Sequence, residues 1–327
     1  MTKLLTRRAF GASATAAAFA LAPIGRARAA APSEIRIDWA TYNPVSLVLK
    51  EQGLLEKEFS PDKIGIRWVF SAGSNKALEF LNAGSLDFGS TAGAAALIGK
   101  INGNPLKSIY IFSRPEWTAL VTQKDSKIAS VADLKGLRIA VTRGTDPHIF
   151  LVRALTGAGL SEKDVKLVLL QHADGRTALE RGDVQAWAGL DPLMATSEIE
   201  SGARLFFRRP EANTWGVLNV REAFAAENPD IVKRVLATYE KARLWAVVNP
   251  AGLKAMMMTA TKLSDAVITR QLERTDMSSG KIGEVQAATI IAAGKALQEA
   301  GVLDGALDIA KITNDMIDGS YARAAGA

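Results

Sequence analysis

The sequence contains no cysteine and only two histidines in 327 residues. The absence of cysteine excludes disulfides, thiolate-bound zinc, iron–sulfur clusters, a cysteine nucleophile and a lipid-modified N-terminal cysteine. The two histidines, His148 and His172, stand 24 positions apart, with no second histidine one helical turn away from either. Two histidines at this spacing are too few to form a histidine-based metal site. We predict neither a metal nor a cofactor.

Signatures of several enzyme classes are also missing. No G-x-x-x-x-G-K-[ST] sequence occurs, and no G-x-G-x-x-G follows a predicted strand, which argues against mononucleotide and dinucleotide sites. No G-x-S-x-G elbow is present to carry a serine nucleophile. Beyond the N-terminal region, no apolar run approaches the ~20 residues that a membrane span needs, which predicts a soluble mature protein.

Positive charge is concentrated at the N-terminus. The net charge of the whole chain is +6. Residues 1–29 contain no acid and carry the basic residues Lys3, Arg7, Arg8, Arg26 and Arg28. The remainder of the chain is therefore nearly neutral, and we predict no nucleic-acid partner.

The first 29 residues have the organisation of an export signal. A charged start is followed by an alanine-rich apolar stretch up to Leu21 and a small-residue exit at Ala29. The pair Arg7-Arg8 resembles a twin-arginine signal, and an ordinary secretory signal is the alternative. We predict an exported, periplasmic protein without a lipid anchor, whose mature chain begins near Ala30.

The mature chain alternates predicted strands and helices in two series. The first series opens with a strand at 34–39 and includes a short strand at 84–89, and the second series opens with a strand at 138–141. From residue 222 onward the pattern is helical to the end. Such alternation predicts two α/β units with mostly parallel sheets and flanking helices.

The helical tail has no sheet of its own, so it is expected to pack on the first unit. This predicts a discontinuous first lobe, residues 30–121 plus 217–327, and a second lobe, residues 122–216. Two crossing strands near Leu120 and Val217 would then form a hinge.

Five predicted strand-to-helix loops share one design. Each places small hydroxyl, glycine, asparagine or aspartate residues directly before a helix: 41–44, 71–74, 90–93, 142–147 and 191–192. Ligands of open parallel sheets lie outside the carboxyl ends of the strands, and helix N-termini present unpaired N–H groups with partial positive charge. Several such ends around one cleft predict an anion site. For any single loop, simple helix capping is the alternative.

Aromatic and titratable residues near these loops are further candidates. Trp117 and Trp215 precede the predicted hinge strands, where they either form an apolar wall for a ligand or pack beneath the hinge. His148 contacts the ligand or caps its helix. His172 is predicted to be an exposed residue at the end of a strand. Asp191 is expected to cap its helix, with ligand contact as the second possibility.

Four segments carry a resemblance to a known family. They are LVLKEQGLLEK at 47–57, ALEFLNAGSLDFG at 77–89, VADLKGLRIA at 131–140 and DVQAW at 183–187. Over 34–320 the chain resembles the periplasmic substrate-binding proteins of aliphatic sulfonate, taurine and nitrate ABC importers. The resemblance implies a two-lobed periplasmic-binding-protein clamshell (type II-like) that traps its ligand between the lobes and delivers it to ABC permease subunits. We expect it to act as a monomer.

The chain departs from this family in its ligand loops. The family's KGxxxH loop corresponds to 143–148, and its WDPY segment corresponds to 190–193, where Trp and Tyr are both replaced. Its TGDAP loop corresponds to 90–94, where the acid is missing. These changes point to a bulkier or less polar ligand than taurine.

The predicted ligand is a small organic anion, an alkyl or aryl sulfonate. Backbone N–H groups and hydroxyls are expected to hold its anionic head, while aromatic and histidine side chains shape the organic end. The predicted site residues are Tyr42, Asn43, Ser90, Thr91, Ala92, Trp117, Thr142, Arg143, Gly144, Thr145, Asp146, His148, Asp191 and Trp215.

Other functions stay open at this point. On the same fold, nitrate, an aromatic carboxylate or a thiamine-precursor pyrimidine are alternative ligands, and a pyrimidine would use Asp146 and Asp191. An enzyme on this fold is the alternative from another class. Desulfinase relatives use a cysteine nucleophile, which the absence of cysteine excludes here, so we predict a binding protein and not an enzyme.

Overall fold

The computed structural model describes residues 31–324 and 326, and two mixed sheets organise this part of the chain. The predicted export signal, residues 1–29, lies outside the described residues. Among the residues that are described, no helix combines the length and the apolar character needed to cross a membrane.

The first sheet has six strands. They are β1 (Glu34–Trp39), β2 (Gly65–Phe70), β3 (Phe88–Ala92), β4 (Leu106–Pro115), β10 (Gly216–Arg221) and β11 (Thr275–Asp276). Their order across the sheet is β11-β4-β10-β3-β1-β2. β1 pairs in parallel with β2 and β3, while β10 runs antiparallel between β3 and β4. The alternating apolar residues of β1, Ile35 and Ile37, are fully buried.

The second sheet has five strands. They are β5 (Leu120–Thr122), β6 (Arg138–Val141), β7 (Lys166–Leu169), β8 (Ala186–Ala188) and β9 (Arg204–Phe207), in the order β7-β6-β8-β5-β9. β6 pairs in parallel with β7 and β8, and β5 is antiparallel to both of its neighbours. Each sheet therefore consists mostly of strands that run in one direction.

Helices fill the connections and the C-terminal part. The helices before the return to the first sheet are α1 (Pro44–Glu51), α2 (Leu54–Phe59), α3 (Ser74–Asn82), α4 (Gly93–Ile101), α5 (Asp146–Gly157), α6 (His172–Arg181) and α7 (Leu193–Ser201). The later ones are α8 (Glu222–Glu227), α9 (Pro229–Val248), α10 (Pro250–Thr261), α11 (Asp265–Glu273), α12 (Glu284–Glu299), α13 (Ile309–Met316) and α14 (Ser320–Ala324).

The chain passes between the two sheets twice. It leaves the first sheet through residues 116–119 and returns through residues 208–215. An ion pair joins these crossing segments, because both guanidinium nitrogens of Arg208 that face Glu116 lie 2.7 Å from its carboxylate oxygens. The crossings thus run side by side and hold the loops of the two sheets opposite each other.

Each sheet has its own core. The first sheet buries a single large cluster that includes Phe88, Tyr110 and Tyr239. The second sheet buries one cluster on each face, and successive residues of β5 divide between them: Leu120 packs on one side and Val121 on the other. This division follows from the alternation of side chains along a strand.

The predicted fold class, an α/β clamshell with two mostly parallel sheets, is confirmed. Several local predictions were wrong. The strand expected at 84–89 is β3 at Phe88–Ala92. Asp87, directly before it, accepts the N–H of Arg36 at 2.9 Å. The helical tail is interrupted by β11, which pairs with β4. The predicted lobe limits at 121 and 216 lie within β5 and at the first residue of β10, and they stay a prediction.

Candidate ligand-binding site

A small cavity lies where four helices begin. α3 and α4 follow β2 and β3 of the first sheet, and α5 and α6 follow β6 and β7 of the second. The cavity has a volume of about 10 Å³, on the scale of one water molecule. Its lining residues come from both sides: Tyr42, Ser74, Ala92, Trp117, Thr145, Asp146, Pro147, His172 and Leu190.

Three of the four helix starts at this cavity carry no side-chain cap. In α3, α5 and α6 no described side chain accepts a hydrogen bond from the first N–H groups, whereas in α1 the Asn43 side chain accepts the N–H of Ser46. In α4 other groups take over, since Gly93 N–H donates to the Trp215 carbonyl and Ala94 N–H donates to Thr214 Oγ1. The starts of α3 and α6 therefore keep N–H donors available. α5 offers fewer, because Pro147 has no N–H and His148 N–H donates to the Thr145 carbonyl. All three present positive dipole ends.

On the first-sheet side, the polar side chains bond to one another. Asp38 is fully buried and accepts hydrogen bonds from the N–H of Ser90, 2.9 Å away, and from its hydroxyl at 2.8 Å. Asn43 Nδ2 donates to Ser90 Oγ at 2.8 Å and to the Tyr239 hydroxyl at 2.7 Å. The Tyr42 hydroxyl donates to the Ser90 carbonyl at 3.0 Å. Burial raises the pKa of Asp38 to about 6, against the opposing effect of the Ser90 bonds.

The rest of β3 is similarly engaged. Thr91 Oγ1 accepts a hydrogen bond from Asn219 Nδ2 at 2.8 Å, and Ala92 N–H donates to Ser74 Oγ at 3.0 Å. Because β3 extends through Ala92, the predicted loop at 90–93 is largely strand. Of this segment, Ala92 reaches the cavity.

On the second-sheet side, the β6–α5 loop is held by its own hydroxyls. Thr142 Oγ1 donates to the Leu170 carbonyl at 2.8 Å, and Thr145 Oγ1 donates to the Thr142 carbonyl at 2.6 Å. Gly144 adopts a left-handed conformation, with φ of 76°, which a residue with a side chain adopts only rarely. This turn brings Thr145 to the cavity as the residue that precedes α5.

Two predicted residues of this loop lie elsewhere. Arg143 is exposed and borders a separate groove of about 400 Å³ together with Glu162 and Val302. His148 is buried, and its Nε2 lies 2.8 Å from Glu162 Oε1. The structure therefore places both side chains away from the cavity lining.

His172 was predicted to be exposed, and that prediction is wrong. It is the first residue of α6, is 2% exposed and lines the cavity. Its Nδ1 lies 3.1 Å from Thr142 Oγ1, and its Nε2 has no hydrogen-bond partner among the described residues. Burial lowers the pKa of His172 to about 3. Its position between a strand and a helix matched the other predicted loops and could have identified it from sequence.

Asp146 ties the start of α5 to both crossing segments. Its Oδ2 accepts hydrogen bonds from Trp117 Nε1 and Thr214 N–H, both at 2.9 Å, and its Oδ1 accepts one from the Thr214 hydroxyl at 2.8 Å. Burial raises the pKa of Asp146. Trp117 packs edge-on against Tyr42, with ring centroids 5.9 Å apart. Trp215 is half-buried, with the guanidinium of Arg114 5.4 Å from its ring centre, and does not line the cavity.

Asp191 binds groups from two sides. It accepts the N–H of Ala195 near the start of α7 at 2.9 Å, as expected of a capping residue, and its Oδ2 lies 3.4 Å from Arg274 Nη1. Arg274 also contacts Glu198 of α7. Burial raises the pKa of Asp191 to about 7, although Arg274 lowers it. Sequence reasoning missed Arg274, because no local pattern relates the end of α11 to α7.

The structure thus brings part of the predicted set together. The cavity lining contains five predicted residues, Tyr42, Ala92, Trp117, Thr145 and Asp146. It also contains four that were not predicted as contacts, Ser74, Pro147, His172 and Leu190. The other predicted contacts stay predictions.

The geometry is that of a binding-protein fold, and the comparisons with known proteins agree. The chain belongs to the NMT1/THI5-like family, whose sequence pattern matches residues 59–252. Two relatives are each named "Putative aliphatic sulfonates-binding protein". The one from Escherichia coli K12 is 32% identical over 64% of this chain and 66% of its own length, just under two thirds. The one from Bacillus subtilis 168 is 26% identical over 89% of this chain and 88% of its own length.

Solved structures with this fold include binders and an enzyme. The alkanesulfonate-binding protein SsuA from Xanthomonas axonopodis pv. citri, bound to MOPS, has a TM-score of 0.80 and 25% identity, covering 88% of this chain and 99% of that one. The desulfurization enzyme DSZB has a TM-score of 0.65 and 15% identity, covering 89% of this chain and 98% of that one. The likeness to DSZB concerns the fold alone.

Proposed function

We propose that the protein is the extracytoplasmic solute-binding component of an ABC importer and that it binds a small organic anion, an alkyl or aryl sulfonate. The observation that carries this proposal is the convergence of the uncapped starts of α3, α5 and α6 on one cavity. Their N–H groups and dipoles favour an anionic head with several acceptor oxygens. The names of the sulfonate-binding relatives support the same ligand class.

The proposed mechanism is closure of two lobes, residues 30–121 plus 217–327 and residues 122–216, around the ligand. The cavity is lined from both sheets and in this structure has the volume of about one water molecule. A sulfonate therefore enters only when the lobes move apart, and it contacts both lobes only when they come together around it. Such differential contact favours the closed state. The proposed hinge is the pair of crossing segments 116–119 and 208–215, which lead into the strands that contain Leu120 and Val217, near which the sequence predicted it. The closed form is what the permease would receive.

A cationic pyrimidine is the weaker candidate. Such a ligand needs a free carboxylate, and Asp146 is the acid that lines the cavity. Asp146 already accepts three hydrogen bonds, from Trp117 and Thr214. We therefore assign the cavity to an anion. We also propose export to the periplasm, by the twin-arginine route or by the ordinary secretory route, and action as a monomer.

The proposal is tested by titration calorimetry of the mature chain against one panel of ligands. The panel contains alkane sulfonates of two to six carbons, benzenesulfonate, sulfate, nitrate, benzoate and an aminopyrimidine. We expect sulfonates to bind and to be recovered unchanged by mass spectrometry. Binding restricted to nitrate, benzoate or the pyrimidine would overturn the ligand class. Release of sulfite or of any other product would overturn the assignment as a binding protein.

A further inference from the structure

The buried end of His172 carries an unused acceptor. His172 Nε2 has no hydrogen-bond partner within residues 31–324, although the side chain is 2% exposed. The atom faces the start of α3: a Cβ built on Gly73, the residue before that helix, would lie 2.9 Å from His172 Nε2. Buried polar groups in folded proteins nearly always have partners, so an orphan at a cavity wall indicates a group that a ligand supplies.

The neighbouring bonds fix which nitrogen of His172 carries the proton. Thr142 Oγ1 has one proton, which it donates to the Leu170 carbonyl at 2.8 Å. Toward His172 Nδ1, 3.1 Å away, the same oxygen can therefore only accept. Nδ1 must hold the ring proton, which leaves a lone pair on Nε2.

A positive charge on His172 is disfavoured. The ring is enclosed, and burial lowers its pKa to about 3. Across the pH range in which proteins are usually handled the side chain is therefore neutral. His172 cannot offer a proton to a sulfonate oxygen, and two lone pairs brought together would repel each other.

A second acceptor points to the same place. Asn75 Oδ1 also has no hydrogen-bond partner in the part of the chain that the structure describes, and it lies 2.9 Å from the same Cβ position on Gly73. The amide of Asn75 can turn to present either of its ends, but the tautomer of His172 is set by Thr142. His172 therefore decides the chemistry of this part of the cavity.

We propose that His172 is a specificity-determining residue, which selects an organic anion that also carries an O–H or N–H donor. Resting on the proposed function, the assignment divides the ligand into two ends. The anionic end meets the N–H groups of the helix starts, and the donor end binds His172 Nε2. The preferred ligand is thus a hydroxy- or amino-substituted sulfonate, with plain alkane sulfonates bound more weakly. This differs from the expectation, drawn from the loop sequences, of a ligand less polar than taurine.

The first test compares two ligands of nearly equal size on the unaltered protein. Propane-1-sulfonate and 2-hydroxyethanesulfonate differ by a methyl group in place of the hydroxyl. We expect calorimetry to give at least about tenfold tighter binding of the hydroxyl compound, because a site built to hydrogen-bond a hydroxyl rejects the analogue that lacks it. The amino analogue, 2-aminoethanesulfonate, is expected to share this advantage.

Two variants assign the preference to His172. His172→Leu removes the acceptor at similar size and should reduce the ratio of the two affinities to about one. His172→Gln can again present an acceptor and should restore part of the ratio. A ratio near one in the unaltered protein, or a ratio that survives in His172→Leu, overturns the inference. If no sulfonate binds the unaltered protein, the proposed function itself fails, so the two failures are distinguishable.

Discussion

The two sides of the cavity use their polar residues differently. On the first-sheet side, Asp38, Asn43 and Ser90 satisfy one another and Tyr239, far inside the fold. On the second-sheet side, Thr142 and Thr145 brace the loop, and His172 keeps an acceptor directed at the opposite helix. The first-sheet side thus uses these polar side chains internally, while the second-sheet side adds His172, a side chain with hydrogen-bonding capacity left for a ligand.

The difference shows why residue type alone is a poor guide to ligand contact. Ser90 and His172 both stand near the end of a strand, and only the hydroxyl was predicted as a contact. The Ser90 hydroxyl already donates to Asp38 and accepts from Asn43. His172, which was predicted to be exposed to solvent, is buried with its Nε2 unpartnered among the described residues. A polar side chain can contact a ligand only if its hydrogen-bonding capacity is not already used within the protein. Whether it is used depends on residues distant in the chain.

The buried acids offer the strongest test of this contrast. Burial raises the pKa of Asp191 to about 7 from an ordinary value of 3.8. The folded protein therefore binds the proton more tightly than the unfolded chain, and the stability contributed by Asp191 is lost as the pH rises from about 4 to about 7. At about 1.4 kcal/mol for each pKa unit, the loss is on the order of 4 kcal/mol.

The measurement compares urea unfolding of the unaltered protein and of Asp191→Asn between pH 4 and pH 8. The free energy of unfolding of the variant should lack this decline. Asp38→Asn is the matched variant on the other side, and its difference should end nearer pH 6, the value to which burial raises the pKa of Asp38. Parallel pH profiles for all three proteins would contradict the assignment.

Gly73→Ala should weaken ligand binding by on the order of 100-fold, about 2.7 kcal/mol. The new Cβ would lie 2.9 Å from His172 Nε2 and Asn75 Oδ1, so it occupies the point where the two sides meet. The backbone φ of 171° at Gly73 is ordinary extended geometry, so folding should be retained.

The control is Gly157→Ala at the end of α5, where a Cβ meets nothing within 4 Å. It should bind like the unaltered protein in calorimetry. Equal affinities of the two alanine variants would remove the β2–α3 loop from the site.

Removing one hydroxyl on each side of the cavity distinguishes residues that stabilise the fold from residues that determine ligand affinity. Ser90→Ala leaves Asp38 and Asn43 each without one bond and should cost about 2 kcal/mol of stability with affinity changed by less than about threefold. Thr142→Val frees Nδ1 of His172 and should lower affinity for the hydroxysulfonate by about tenfold, with a smaller loss of stability. Thermal unfolding gives the stability of each variant, and calorimetry gives its affinity for the ligand. An affinity loss confined to Ser90→Ala would show that the first-sheet side, and not His172, contacts the ligand.

Much of the fold could be predicted, because local sequence patterns indicate most of its strands and helices. The alternation at Glu34–Trp39 and the proline that opens α1 specify β1 and α1 without reference to the rest of the chain. The positions of the loops around the cavity follow from the order of strands and helices. Contacts such as Arg274 with Asp191 join residues 83 positions apart, and a single sequence carries no local signal for them.

The smallest expected effect concerns the ion pair between the crossing segments. Arg208 is half-exposed and bonds both carboxylate oxygens of Glu116, which is 13% exposed. Such a pair at the protein surface contributes about 1 kcal/mol, decreasing with salt. Arg208→Gln should therefore lower the melting temperature only slightly at low salt and not at all at high salt. Asp146→Asn, which alters the buried bonds to Trp117 and Thr214 on the same segments, should lower it at every salt concentration. If Arg208→Gln lowers the melting temperature more than Asp146→Asn does, the surface ion pair stabilises the crossing segments more than the buried carboxylate does. Asp146 would then not be the residue that fixes the two sides of the cavity relative to each other.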